Sequence, residues 1–159
     1  MNRAETLKER YHLLRHPEGG WFAEVYTSPS SPGVRPAAGS IYFLLDEAEI
    51  SHFHRIDCDE IWYYHEGCGL KITVLENGGM EEILLGMETG QRAMALIRQG
   101  ALFAAENLQK DGYTFLSCAT TPAFRYEGFH LASRREIRAL YPDAAEKVLA
   151  LAYENTENP

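Results

Sequence analysis

The chain has 159 residues, 45% of them apolar and 24% charged, a composition that suits one globular domain with a core of ordinary size. Its formal net charge of -8 excludes the basic footprint that nucleic acid or an anionic membrane surface requires, while a small ligand held by a few well-placed side chains stays open. Three cysteines (Cys58, Cys68 and Cys118) form no CxxC pair, so a disulfide framework is not expected and a reducing, cytoplasmic setting is.

The N-terminus, MNRAETLKER, is polar and lacks the apolar run of a signal peptide, and no apolar stretch reaches membrane-spanning length. Residues 3–14 predict a short helix with Leu7, Tyr11 and Leu14 on one face, ended by Pro17 and the Gly19-Gly20 pair. Trp21 to Ser28 alternates large and polar residues as a strand does, and a Ser-, Pro- and Gly-rich loop follows to Gly39. From Ser40 the chain reads as eight short strands, 40–45, 51–55, 60–65, 70–75, 81–85, 94–98, 102–106 and 113–119, most of them separated by Gly, Asp or Asn. Such spacing, with no helices between the strands, predicts an all-β sandwich or barrel and excludes a parallel βαβ sheet. Ser133 and Glu136 fit a capping box that opens a C-terminal helix, Pro142 stops it, and Asp143 to Glu146 caps another. No repeat or linker interrupts the chain, so residues 1–159 form one domain.

The informative stretch is SHFHRIDCDEIWYYHEG. Side chains two apart on a strand share a face, so His52 and His54 are expected to converge inside the barrel, with Glu60 facing them from the next strand. Two imidazoles and a carboxylate suit one divalent metal (Zn, Mn, Fe or Ni), and equally suit metal-free acid–base work. The spacing resembles the first motif of the cupin superfamily: His52 and His54 match its histidines, Glu60 its carboxylate and Gly67 its closing glycine. Five residues rather than four separate His54 from Glu60, which leaves Asp59 as an alternative carboxylate. At the second cupin motif Gly100 and Asn107 match, but Phe103 stands where the superfamily places a third histidine.

A fuller resemblance covers residues 11–142. HPEGGWFAEVYTSP, GSIYFLLD, HFHRIDCDEIWYYHEG and FRYEGFHLASRREIRALYP are similar to the Cupin-5 family (domain of unknown function 985). That family is similar in fold to the dTDP-4-dehydrorhamnose 3,5-epimerases, whose shared strand Trp21-Phe22-Ala23-Glu24 resembles. The resemblance implies a cupin jelly-roll β-barrel with short terminal helices and a homodimer in which the strand from Trp21 crosses to the partner.

Further candidates surround this motif. Glu24 suits either a ligand at the barrel mouth or a pairing with Arg35, and Arg35 suits either a phosphate or carboxylate ligand or an exposed loop. Alternation turns Glu60, Trp62 and Tyr64 to one face and His65 to the other, unless a bulge near Trp62 reverses it. Tyr42, Trp62, Phe103 and Phe115 suit an aromatic pocket wall or core packing, and Glu127 and His130 are candidate polar pocket residues.

Two principal readings of function follow. The first is a sugar or sugar-nucleotide epimerase or isomerase, with His52 or His54 as base and Tyr64 or Glu60 as acid. The second is a cupin that binds a small molecule without turnover. A metal-dependent oxygenase using His52, His54 and Glu60 is a third.

Overall fold

The computed structural model describes residues 2–159. Helix α1 (Arg3–Arg10) opens the chain, capped by the Asn2 side chain on the Glu5 amide at 2.9 Å. Ten of the strands follow: β1 (Leu14–Arg15), β2 (Trp21–Thr27), β3 (Gly39–Asp46), β4 (Ile50–Arg55), β5 (Asp59–Gly67), β6 (Leu70–Glu76), β7 (Gly79–Leu85), β8 (Met94–Ile97), β9 (Leu102–Asn107) and β10 (Tyr113–Thr121). A 3-10 turn (Tyr126–Gly128), β11 (His130–Leu131), α2 (Arg134–Leu140) and α3 (Glu146–Leu149) complete it. The strands form two antiparallel sheets, one in the order β1-β2-β3-β10-β5-β8 and the other β11-β4-β9-β6-β7. This is the all-β jelly-roll barrel expected from the strand spacing, with its α-helices at the two ends.

Alternation explains where the apolar residues go. Phe43, Trp62, Ile72, Phe103 and Leu116 point between the sheets and form the main core. The outer faces are covered by the chain ends. Ala4 and Leu7 of α1 pack on Leu44 and Phe115, while Ile137, Val148 and Leu149 of the C-terminal helices pack on Phe53, Leu75 and Leu102. Strand β6 is therefore buried on both faces and reads as a nearly continuous apolar run.

Three local expectations are corrected. The first helix stops at Arg10 because His12 adopts a left-handed backbone, φ 53°, and Leu14 then joins β1. The capping box at α2 is half formed: Ser133 Oγ accepts from the Glu136 amide at 3.2 Å, but the Glu136 carboxylate turns to His130, 2.8 Å away. At α3, Ala145 is the N-cap and makes no side-chain cap bond. Strand β2 is bonded to β3 of its own chain. Among the described residues, no helix is long and apolar enough to cross a membrane.

The consequential departure is in β4. Ser51 lies opposite Ala105 and His54 opposite Phe103, so His52 and Phe53 together face only Ala104. One extra residue in a strand makes a β-bulge and reverses the alternation beyond it. The bulged amides still find partners: His52 N–H donates to the Glu18 carbonyl at 2.7 Å and Phe53 N–H to the Leu151 carbonyl at 3.0 Å. The loop 16–20 thus docks along β4, and Gly19 makes that approach possible. It has φ 108°, and a Cβ there would lie 2.0 Å from the Ile50 carbonyl oxygen. Gly19→Ala is expected to lower stability by about 2 kcal/mol or more in urea denaturation. Gly33→Ala, also at positive φ but with no atom within 4 Å of its Cβ, isolates the backbone effect at about 1 kcal/mol.

Candidate functional site

A cavity of about 300 Å³ opens between the sheets at the end where β2 and β3 meet the 121–129 segment. Its buried part holds His16, Glu18, His54, Glu60, Cys118 and Thr120, its wall carries Phe22, Phe43, Phe124 and Tyr126, and Glu24 and Tyr26 stand at the exposed rim. Apolar walls with a few convergent polar groups are the usual make-up of a small-molecule site.

The centre of the polar end is an ion pair. His54 Nε2 lies 2.8 Å from Glu18 Oε2, and His54 Nδ1 lies 2.7 Å from the His52 carbonyl oxygen. A carboxylate and a carbonyl both only accept, so both ring nitrogens carry protons and His54 is an imidazolium. Burial opposes that charge, but the Glu18 carboxylate outweighs it and raises the His54 pKa above its ordinary value. For Glu18 burial likewise opposes ionisation, yet the charge on His54 and the bonds from His54 and Ser51 bring it down to about 2. The Ser51 hydroxyl donates to Glu18 Oε1 at 3.0 Å. His16 is pushed down by burial, and its Nδ1 accepts from the Glu18 amide at 3.2 Å, as a neutral ring can.

Glu60 behaves in the opposite way. It is 8% exposed, has no arginine or lysine partner, and accepts from Trp62 Nε1 at 2.8 Å. Burial first, then the Glu18 charge, raises its carboxyl to about 7, against the opposing pull of His54. Two carboxyl groups in one cavity are therefore split into a permanent anion and a group that exchanges its proton near neutrality. The Cys118 thiol beside Glu60 is pushed well above its ordinary value by burial and stays protonated, which removes it as a nucleophile.

The structure gathers some of the sequence candidates here and places others elsewhere. His54, Glu60 and Glu24 line the cavity; Glu24 is exposed and accepts from the Thr27 hydroxyl. His52 does not line it: the bulge turns its ring onto Tyr153, 3.7 Å between centroids, with Nδ1 2.7 Å from the Glu18 carbonyl. The metal triad His52, His54 and Glu60 is consequently not assembled, and among the described residues no three His, Cys, Asp or Glu side chains converge as a metal would need. Asp59 accepts from the Gln99 amide at 2.8 Å outside the cavity. Tyr64 also misses it, donating instead to the Gly67 carbonyl at 2.7 Å. Trp62 and Phe103 are core; Trp62 orients Glu60, and Phe103 packs on the His54 ring at 4.2 Å. Tyr42 lies under Tyr11, the C-cap of α1, and His65 bonds Ser117 on that same outer sheet face, where it is the extra residue between Tyr64 and Glu66 opposite Leu116 and Phe115. Glu127 is exposed beyond the cavity, and His130 is committed to Glu136.

Arg35 is neither a free anion site nor a partner of Glu24. Its guanidinium straddles Asp57, at 2.7 and 3.1 Å, and donates to the Ala123 carbonyl at 2.8 Å. Arg125 takes the same carboxylate at 2.7 and 3.0 Å, so Asp57 ties the 28–38 loop to the segment bearing Phe124 and Tyr126. Both arginines hold the Asp57 carboxyl below its usual range, Arg35 contributing more. His16 and Glu18 fall outside the sequence expectations because HPEGG reads locally only as a helix stop. The available signal was a Gly-Gly pair directly after a His and a Glu, since adjacent glycines permit the close backbone approach that carries both side chains inward.

Solved structures share this fold. A protein of Shewanella oneidensis is 33% identical with TM-score 0.91, the match covering 98% of this chain and 100% of that one. A hypothetical protein from Leishmania major is 29% identical with TM-score 0.86, covering 97% and 100%. The oxalate decarboxylase of Lactobacillus farciminis is 21% identical with TM-score 0.56, covering 94% of this chain and 44% of that one, a likeness of fold alone. No curated protein matches the chain. The family described as Cupin superfamily (DUF985) matches residues 5–132, and the chain belongs to it.

Proposed function

We propose that the cavity binds a small carbonyl compound of sugar-like size and moves a proton on it, as an epimerase or isomerase does. The observation that carries this reading is Glu60, a buried carboxyl poised near neutrality beside a fixed imidazolium. A general acid–base group works best when its pKa lies near the operating pH. Glu60 takes the proton-transfer role because both nitrogens of His54 are already engaged and no lone pair is free. His54, tied to Glu18 and to the His52 carbonyl, holds the Glu18 carboxylate in place and leaves the proton transfer to Glu60. Tyr126, on the wall, is the second proton-bearing group; burial and the nearby Glu18 charge raise its hydroxyl, so it stays protonated and can serve as the acid.

A binding protein without turnover uses the same cavity, and proton exchange separates the two readings. Aldoses and ketoses incubated with the protein in D2O are expected to exchange the C–H next to the carbonyl, seen as loss of that proton signal by NMR. Glu60→Gln is expected to reduce the exchange at least about 100-fold, the usual weight of a positioned acid or base. No exchange with any such compound would leave the binding reading in place of the catalytic one.

The Glu60 pKa also has a stability signature. Folding raises it from 4.5 to about 7, so the native state holds a proton that the unfolded chain has lost. Stability from this group is therefore complete below the unfolded pKa and falls as pH rises between 4.5 and 7, by roughly 3 kcal/mol in total. In urea titrations across that window the wild type is expected to lose stability relative to Glu60→Gln, which keeps a neutral side chain throughout.

Assembly as a homodimer belongs to the same reading. Strand β1 covers only Trp21 and Phe22, so the rest of β2 has no strand on that side, and Val25 and Tyr26 are about half exposed there. An unpaired edge of this kind is a template for a second copy. Sedimentation equilibrium at micromolar concentration is expected to show a dimer, and Val25→Lys to shift it to monomer; monomer alone for the wild type counts against it.

A further inference from the structure

The charges around the cavity fix the kind of ligand it admits. Among the described residues, no lysine or arginine lines it. Arg35 and Arg125, sequence neighbours of the lining residues Pro36, Phe124 and Tyr126, are both spent on Asp57, with Arg35 also bonded to the Ala123 carbonyl. The one buried cation, His54, is neutralised by Glu18 at 2.8 Å. What remains is Glu24 at the exposed rim and Glu60 at the buried end, neither facing an arginine or lysine. A phosphate, pyrophosphate or carboxylate normally requires an arginine fork, a lysine or a row of free backbone amides. Here it would meet two carboxyl groups and aromatic walls.

From this geometry we infer that the pocket selects uncharged hydroxyl- or carbonyl-bearing compounds and rejects their phosphorylated, nucleotide-linked and carboxylate counterparts. This deepens the reading above, on whose cavity it rests, and within it separates a free sugar from a sugar nucleotide. Phe22, Phe43, Phe124 and Tyr126 offer faces for the C–H side of such a molecule. The hydroxyls of Ser40 and Thr120, with the Glu60 carboxyl, offer polar contacts. A diphosphate attached to the ring would have to leave past Glu24, where like charges repel.

The test uses a matched pair of probes that differ by one charge. Benzamide and benzoate have the same shape, and each is titrated to tens of millimolar into isotope-labelled full-length protein at pH 7.5. Binding is read from the backbone amide signals of Phe22, Thr120 and Tyr126. Benzamide is expected to bind at least about tenfold more tightly than benzoate. Glu24→Gln, which removes an exposed rim charge, is expected to narrow that ratio by tightening benzoate binding. Benzoate binding as tightly as benzamide overturns the inference and leaves the proton-transfer reading standing. Binding of neither probe, with a folded spectrum, overturns the inference and the small-molecule reading together. A preference for benzamide that survives Glu60→Gln, in a protein that exchanges no substrate proton, upholds the selectivity and removes only the catalysis.

Discussion

A carboxylate cannot lie in a protein interior unpaired, and Glu18 lies there at 6% exposure. Its partner is His54, and the open end of the barrel is arranged around that requirement. The loop carrying Glu18 must run against β4, so Gly19 must have no side chain. The carbonyl of Glu18 takes the His52 amide, which belongs to the bulged part of β4. The bulge in turn sets the side from which His54 enters the barrel. Removing either charge would strand the other, a loss of about 3–5 kcal/mol for a buried pair. The pair is thus as much a condition of the local fold as a feature of the site.

The same pair sorts the remaining groups. With Glu18 ionised and His54 charged, a third charge on Glu60 is disfavoured by burial and by Glu18, and only partly excused by His54. The cavity then contains one anion, one cation and one exchangeable proton, held on three different strands or loops. Because the imidazolium is bonded at both nitrogens, in the proposed function Glu60 transfers the proton and His54 is left only its field. That division of labour differs from the one suggested by a His-x-His spacing, where both rings look equivalent.

The reason for the difference is instructive about what a sequence can disclose. Strand positions were legible because turn residues and period-two alternation are local: β6 and β9 begin where the apolar runs begin, and β10 extends past its expected end by two residues. His54 and Glu60 were legible because they lie on those strands. The displacement of His52 was not, since a bulge is produced by what docks on the strand, here residues 16–20 and 151, far away in the chain. Arg35 was equally opaque. Its partner Asp57 is 22 residues away, and nothing local distinguishes a guanidinium awaiting a phosphate from one already bound to a carboxylate. Phe103 was readable in part: a ring in place of a histidine announced an altered site, and the ring indeed packs on His54.

The shared carboxylate of Asp57 gives the entrance a different master from the interior. Asp57, Arg35 and Arg125 are partly in water, with the Arg125 side chain 51% exposed. Ion pairs so placed weaken as mobile ions accumulate around them, whereas the enclosed Glu18–His54 contact is shielded from that influence. Ionic strength therefore acts on how firmly the 28–38 loop and the aromatic segment are held together. Acidity acts on the interior through Glu60. Salt thus bears on the exposed contacts around Asp57 and pH on the buried carboxyl of Glu60.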